Sequence, residues 1–148
     1  MEDVELARCL LEQDNLNLVV VKGGQTLITS REEGVYPLFE AIMSLGDSLH
    51  GAAIADKIIG AAIAMLCLYA QIASVYAETA SKEALNLLKE HRVAVASKSI
   101  VPHILNRNGT DLCPFEKLAH NANSPAQLFS ALESMFGVKD KASHLVKG

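Results

Sequence analysis

The chain opens on a short amphipathic pattern. Leu6, Cys9 and Leu10, with Val4 and Leu11 beside them, fall near one face of a helix spanning residues 3–12. The early Glu2, Asp3 and Glu5 suit the positive end of a helix. Leu16 to Val21 is a β-rich run, and Thr26 to Thr29 is its return strand. Between them Lys22-Gly23-Gly24-Gln25 carries the Gly-Gly signal of a two-residue hairpin. Ser30 and Glu33 have capping-box spacing, but Gly34 and Pro37 move the next helix start to about Tyr36. Its stripe is Leu38, Phe39, Ile42 and Leu45, and Gly46 stops it. Residues 47–51 form a polar loop containing His50.

The next stretch is apolar nearly all round. From Ala53 to Leu68 only Asp56 and Lys57 are charged, which predicts a central, buried helix. Ile72 to Ala77 then reads as a strand. Ser81 caps a helix to Glu90 with Ala84, Leu85 and Leu88 inward, and Val93 to Ala96 is a further strand. A short helix is expected from Pro102 to about Asn106, then a loop through Arg107 around Asn108-Gly109. Pro114 suits a first helical position and makes Cys113 the N-cap; Ser124-Pro125 repeats the arrangement for a last helix ending near Phe136.

This order predicts an α/β fold. A strand-helix-strand step requires a parallel pair, the hairpin an antiparallel one. The expected assembly is a three-layer α-β-α sandwich around a mixed sheet of four or five strands. Residues 1–137 are read as one domain and 138–148 as a polar C-terminal tail.

Composition sharpens this picture. Of 148 residues, 50% are hydrophobic but only 5% aromatic, so the core must be built mainly from aliphatic side chains. The uncharged run from Ile58 to Ala77 is long enough to span a bilayer. Its Ala richness, its Gly60, Gln71 and Ser74, and a change of period near Leu68 favour a buried helix and strand instead, so no membrane is expected as a partner. A net charge of −4, with scattered basic residues, argues against a nucleic-acid partner. The three cysteines have no Cys-x-x-Cys spacing and suggest free thiols in a reducing cytoplasm. The acidic start Met1-Glu2-Asp3 lacks the pattern of a secretory signal.

Two segments resemble a known family. "GAAIADKIIGAAIAML", Gly51 to Leu66, and "ILNRNGTDLCPFEKL", Ile104 to Leu118, are similar to the two motifs of family eighteen ninety-three of the domains of unknown function. The resemblance covers roughly Val4 to Leu132. It implies a cytidine-deaminase-like fold, whose hairpin, central helix and parallel βα units agree with the order above. It does not bring deaminase chemistry. Zinc deaminases need a His or Cys ligand near a Glu acid/base, and a Cys pair. Here His50-Gly51-Ala52 lacks His-x-Glu, and the later helix begins near Thr79-Ala80-Ser81, without Pro-Cys-x-x-Cys. No metal or other cofactor is expected.

The candidate chemistry lies elsewhere. Cys113 at a helix start would be favoured as a thiolate, with Glu116 one turn on as acid/base. The plain alternative is a small cap residue and its capping partner. Arg107 could hold an anionic group. Asp56 and Lys57, the only charges between Gly51 and Ala77, would mark a ligand cleft or lie in an exposed first helical turn. Gly60 would allow close approach by a ligand or another helix, and Ser81 could bond a ligand or simply cap its helix. His103 and His120 flank the Cys113 segment and could pair with its thiol. The expected function is binding of a small ligand, nucleotide-like by the fold resemblance, in a deaminase-like pocket. The alternative is a non-catalytic oligomerisation or regulatory module, in which the Ala/Gly-rich faces of 51–68 would pack a homo-oligomer.

Overall fold

The computed structural model describes residues 1–137; the expected tail, 138–148, lies outside the described residues. Helix α1 (Asp3–Gln13) leads into the hairpin of β1 (Leu18–Lys22) and β2 (Gln25–Ser30). Both turn glycines have positive φ, 60° at Gly23 and 77° at Gly24, as a tight primed turn requires. Their N–H groups donate to the Asp3 carboxylate at 2.8 and 2.9 Å, so the hairpin tip is tied to the first turn of α1. Helix α2 (Tyr36–Leu45) ends at Gly46, and a 3-10 turn (Gly46–Leu49) leads to β3 (Ala53–Ile59).

The buried helix expected from Ala53 to Leu68 is two elements. Residues 53–59 are a strand, and α3 (Ala61–Tyr69) begins only after Gly60. A parallel strand buried on both faces carries no alternation of apolar and polar residues, so it reads like a buried helix. Asp56 and Lys57 therefore lie on a strand rather than in a first helical turn. Strand β4 (Ser74–Ser81), α4 (Lys82–Glu90) and β5 (Ala94–Val101) follow. Both strands run four or five residues past the apolar stretches that announced them. The short helix expected after Pro102 is absent: this segment is a loop closed by a Leu105–Leu112 bridge. Helices α5 (Pro114–Asn121) and α6 (Pro125–Leu132) follow, and the described residues end in a π turn (Glu133–Gly137).

The five strands form one mixed sheet in the order β2-β1-β3-β4-β5. β1 is antiparallel to both neighbours, while β3, β4 and β5 are parallel. Helix α1 packs Ala7 and Leu11 against Val19, Val21, Ala55 and Tyr76. The other helices bury the larger core, around Leu38, Phe39, Leu66, Leu88 and Leu128, against Leu18, Val20, Ile54 and Val75. Side chains alternate along a strand, so these two sets lie on opposite faces of the sheet. Ile54 and Ile59 break that alternation, since both enter the larger core although five residues apart. The facing changes over Asp56–Ile58, where the Ile58 N–H donates to Asp56 Oδ1 at 3.2 Å. Among the described residues, no helix is long and apolar enough to cross a membrane.

Candidate functional site

The parallel strands bring two helix starts together. Ile59 pairs with Ala80 at the carboxyl end of β3 and β4. The next residue in each strand, Gly60 and Ser81, is the N-cap of the helix that follows. This carboxyl edge is where open α/β sheets commonly place ligands. The two caps solve the problem of unpaired helix N–H groups differently. Ser81 uses its own hydroxyl, which accepts from the Ala84 N–H at 3.1 Å. Gly60 has no side chain to offer. Its helix is capped instead by Glu116, whose carboxylate accepts from Ala61 N–H at 2.8 Å and Ala62 N–H at 2.9 Å.

That contact explains Gly60. Its backbone, at φ −104° and ψ −169°, is extended and open to any residue. A Cβ there would instead overlap the Glu116 carboxylate. The close approach foreseen for Gly60 is thus made by a side chain of the same protein, 56 residues further on in the sequence. Glu116 is only 5% exposed, and each of its oxygens accepts a helix N–H. Negative charge at a helix start is favourable, and charge-assisted bonds to backbone amides are among the stronger ones.

Helix α5 spans both helix starts. Besides Glu116 on α3, its His120 Nε2 lies 2.7 Å from Oε2 of Glu83 in the first turn of α4. Its N-cap is Cys113, as foreseen, and Pro114 follows. The half-buried thiol makes no capping bond, although the Cys113 backbone N–H donates to Ile104 at 3.0 Å. Gly60, Ser81, Cys113 and Glu116 therefore belong to one corner of the fold.

The other named residues are elsewhere. Asp56 pairs with Ala77, three residues back from the strand end, or about 10 Å at the usual rise. It is 8% exposed, and burial holds its carboxyl well above the usual carboxylate range despite bonds from the Ile58 and Lys57 N–H groups. Burial, with a contribution from Asp56, likewise pushes up the thiol of Cys67 in α3. Lys57 faces away and donates to Asn15 Oδ1 at 2.7 Å. Arg107 is exposed in the 102–113 loop, next to the turn that the Asn106 side chain braces through the Thr110 N–H at 3.0 Å.

A cleft missed by sequence reasoning opens beside this corner. It has a volume of about 510 Å³ and is lined by Lys82, Glu83, Asn86, Leu87 and Glu90 of α4, with Pro102 and His103. Its residues are ordinary surface types in the sequence. Only the packing of the Pro102 segment beside α4 makes a cleft of them. Among the described residues, no three His, Cys, Asp or Glu side chains cluster as a metal site would need.

Comparison with known proteins agrees with this architecture. A crystal structure of a DUF1893 family protein, TM1506 from Thermotoga maritima, superposes with a TM-score of 0.81 at 28% identity, over 90% of each chain. No curated protein matches the sequence. The model of the TM1506 family, described as a domain of unknown function (DUF1893), matches residues 6–136, and the chain belongs to that family.

Proposed function

We propose that this protein binds a small polar ligand at the carboxyl edge of its sheet, on a deaminase-like scaffold that does not carry the deaminase metal site. The scaffold is read as a three-layer α-β-α sandwich of the cytidine-deaminase-like kind. Support comes from the β2-β1-β3-β4-β5 order and from the two helix starts side by side at one edge. Zinc deaminases place His-x-Glu or its Cys equivalent at one such start and Pro-Cys-x-x-Cys at the other. Here the two starts read Gly60-Ala61-Ala62 and Ala80-Ser81-Lys82-Glu83-Ala84. None of those residues supplies a thiolate or imidazole. The carboxylate at the first start arrives from α5 and is bonded to backbone, so it works as a structural anion.

The observation that carries the reading is the cleft of about 510 Å³ beginning at Lys82, directly after Ser81. Its volume suits a small organic ligand, for which about 300–1,000 Å³ is usual. Lys82 offers a positive charge, and Asn86, Glu90 and His103 offer bonds to a polar ring. A nucleotide-like ligand has those features, and the cytoplasm that suits free thiols supplies such ligands. Thermal melting with nucleoside monophosphates should show a saturable rise in Tm. Lys82→Ala and Asn86→Ala should each weaken binding about tenfold, the value of one good polar contact. Failure of every such ligand to shift Tm, or shifts untouched by both substitutions, would remove the cleft from consideration.

Cys113, the N-cap of α5, is the candidate reactive thiol. Native alkylation with iodoacetamide, followed by mass spectrometry, should label Cys113 fastest, Cys9 more slowly and buried Cys67 not at all. Equal rates at Cys113 and Cys9 would leave Cys113 as a plain cap residue.

A further inference from the structure

The chain between β5 and α5 is folded into a flap. Residues 104–112 turn back on themselves through an antiparallel Leu105–Leu112 bridge. Within it the Asn106 N–H donates to Asp111 O at 2.8 Å and the Gly109 N–H to Asn106 O at 3.0 Å. At its base the Cys113 N–H donates to Ile104 O at 3.0 Å. These bonds hold the segment together as one unit. Apart from the basal bond, among the described residues one hydrogen bond ties it to the rest of the fold. Lys117 of α5 donates to Asp111, and both side chains are about half-exposed. An exposed pair of this kind does little to hold a position.

The flap rises from one wall of the α4 cleft. Pro102 and His103 line that cleft, and the flap begins at the next residue. Its tip carries Arg107, which is exposed and makes no ion pair among the described residues. Arg107 stands four residues beyond His103, about 13 Å of extended chain, so a flap folded towards α4 carries it across the cleft mouth. Leu105, on the same arm, is 50% exposed, and Ile100, just before Pro102, is 57% exposed. Ile100 pairs with Ala80 of the larger core, so it faces the α4 side of the sheet. Folding the flap over covers this apolar surface, with Leu87 of the cleft wall as its counterpart.

We propose that residues 104–112 close over the α4 cleft and bring Arg107 onto the phosphate of a phosphomonoester, across from Lys82, so that the site selects nucleoside monophosphates over nucleosides. This selection rests on the reading of the α4 cleft as a ligand site. Charge is the reason for the arginine. Among the described residues lining the cleft, Lys82 is the only lysine or arginine, set against the carboxylates of Glu83 and Glu90. A phosphate entering the open cleft meets more negative charge than positive. A guanidinium supplies both the missing charge and paired N–H donors that match phosphate oxygens. Closure also excludes water from the contact.

The test is calorimetric titration of the full chain with the four common ribonucleoside 5′-monophosphates and their four parent nucleosides. The tightest monophosphate should bind at least about tenfold more tightly than its nucleoside, the worth of one good charged contact. Arg107→Gln should erase that advantage and leave the nucleoside unaffected. Leu105→Ser should weaken monophosphate binding several-fold. Both residues are exposed, so both variants should melt as the wild type does. Amide hydrogen exchange over 104–112 should slow with the monophosphate bound but not with the nucleoside. Equal binding of the two, weakened alike by Lys82→Ala, would overturn the flap and keep the cleft. A monophosphate preference untouched by Arg107→Gln, or exchange over 104–112 unchanged by the ligand, would do the same. Binding of none of the eight compounds would end both.

Discussion

Gly60→Ala should destabilise the protein by about 3 kcal/mol or more, and the loss should vanish when Glu116 is removed as well. Alanine is usually the better residue where the backbone is unstrained, by about 0.4–1 kcal/mol. Gly60 is such a position, at φ −104° and ψ −169°. The whole penalty is therefore steric: the new methyl group and the Glu116 carboxylate cannot share the space. Either the carboxylate leaves the α3 amides or α5 moves with it. Losing two charge-assisted bonds, each worth about 1.5–3 kcal/mol, accounts for the size of the effect. Glu116→Ala alone should cost a similar amount, because the Ala61 and Ala62 N–H groups lose their acceptor. In that background Gly60→Ala becomes neutral or slightly stabilising. Urea denaturation of the two single variants and the double variant reads the coupling directly. Equal costs of Gly60→Ala with and without Glu116 would show that the glycine serves something other than this contact.

The same pair marks where sequence reading reached its limit. The hairpin, α2, α4 and α5 were legible because local chemistry punctuates them: Gly23-Gly24, Gly46, Ser81 and Cys113-Pro114. Each of those signals acts over a few residues. The strand β3 was not legible, because Ala53, Ile54 and Ala55 are buried on both faces and leave no period to read. Gly60 itself was the available signal, since a glycine in a helix interior costs about 1 kcal/mol and often marks a break. Strand β5 was announced only as Val93 to Ala96 because its later residues, Lys98 to Ile100, are exposed on a sheet edge. The link from Gly60 to Glu116 had no sequence signature. It depends on where α5 docks, and the Cys113 cap spacing says only that α5 exists.

Asp56→Asn should stabilise the protein at neutral pH, by about 1–2 kcal/mol or a few degrees in Tm. The wild-type carboxyl is buried beneath α3 on β3, and burial raises it well above the carboxylate range. The direction with pH follows from proton counting. In the unfolded chain Asp56 loses its proton near the ordinary value of about 3.9. In the folded chain it keeps the proton to higher pH, so the native state binds more protons over that interval. Wild-type stability from this residue is then full below about pH 4 and falls as pH rises towards the raised native value. Asparagine is neutral throughout and can accept the Ile58 N–H through the same Oδ1 position. The advantage of Asp56→Asn should therefore be smallest near pH 3.5 and grow steadily towards pH 8. Thermal melts of both proteins across that range provide the comparison. A constant difference at every pH would mean that folding leaves the proton affinity of Asp56 unchanged, and a loss of stability that deepens as pH rises would mean that the ionised carboxylate is what the folded strand prefers. Because Asp56 sits where β3 changes facing just before Gly60, that second outcome would also make its charge part of what sets the α3 helix start.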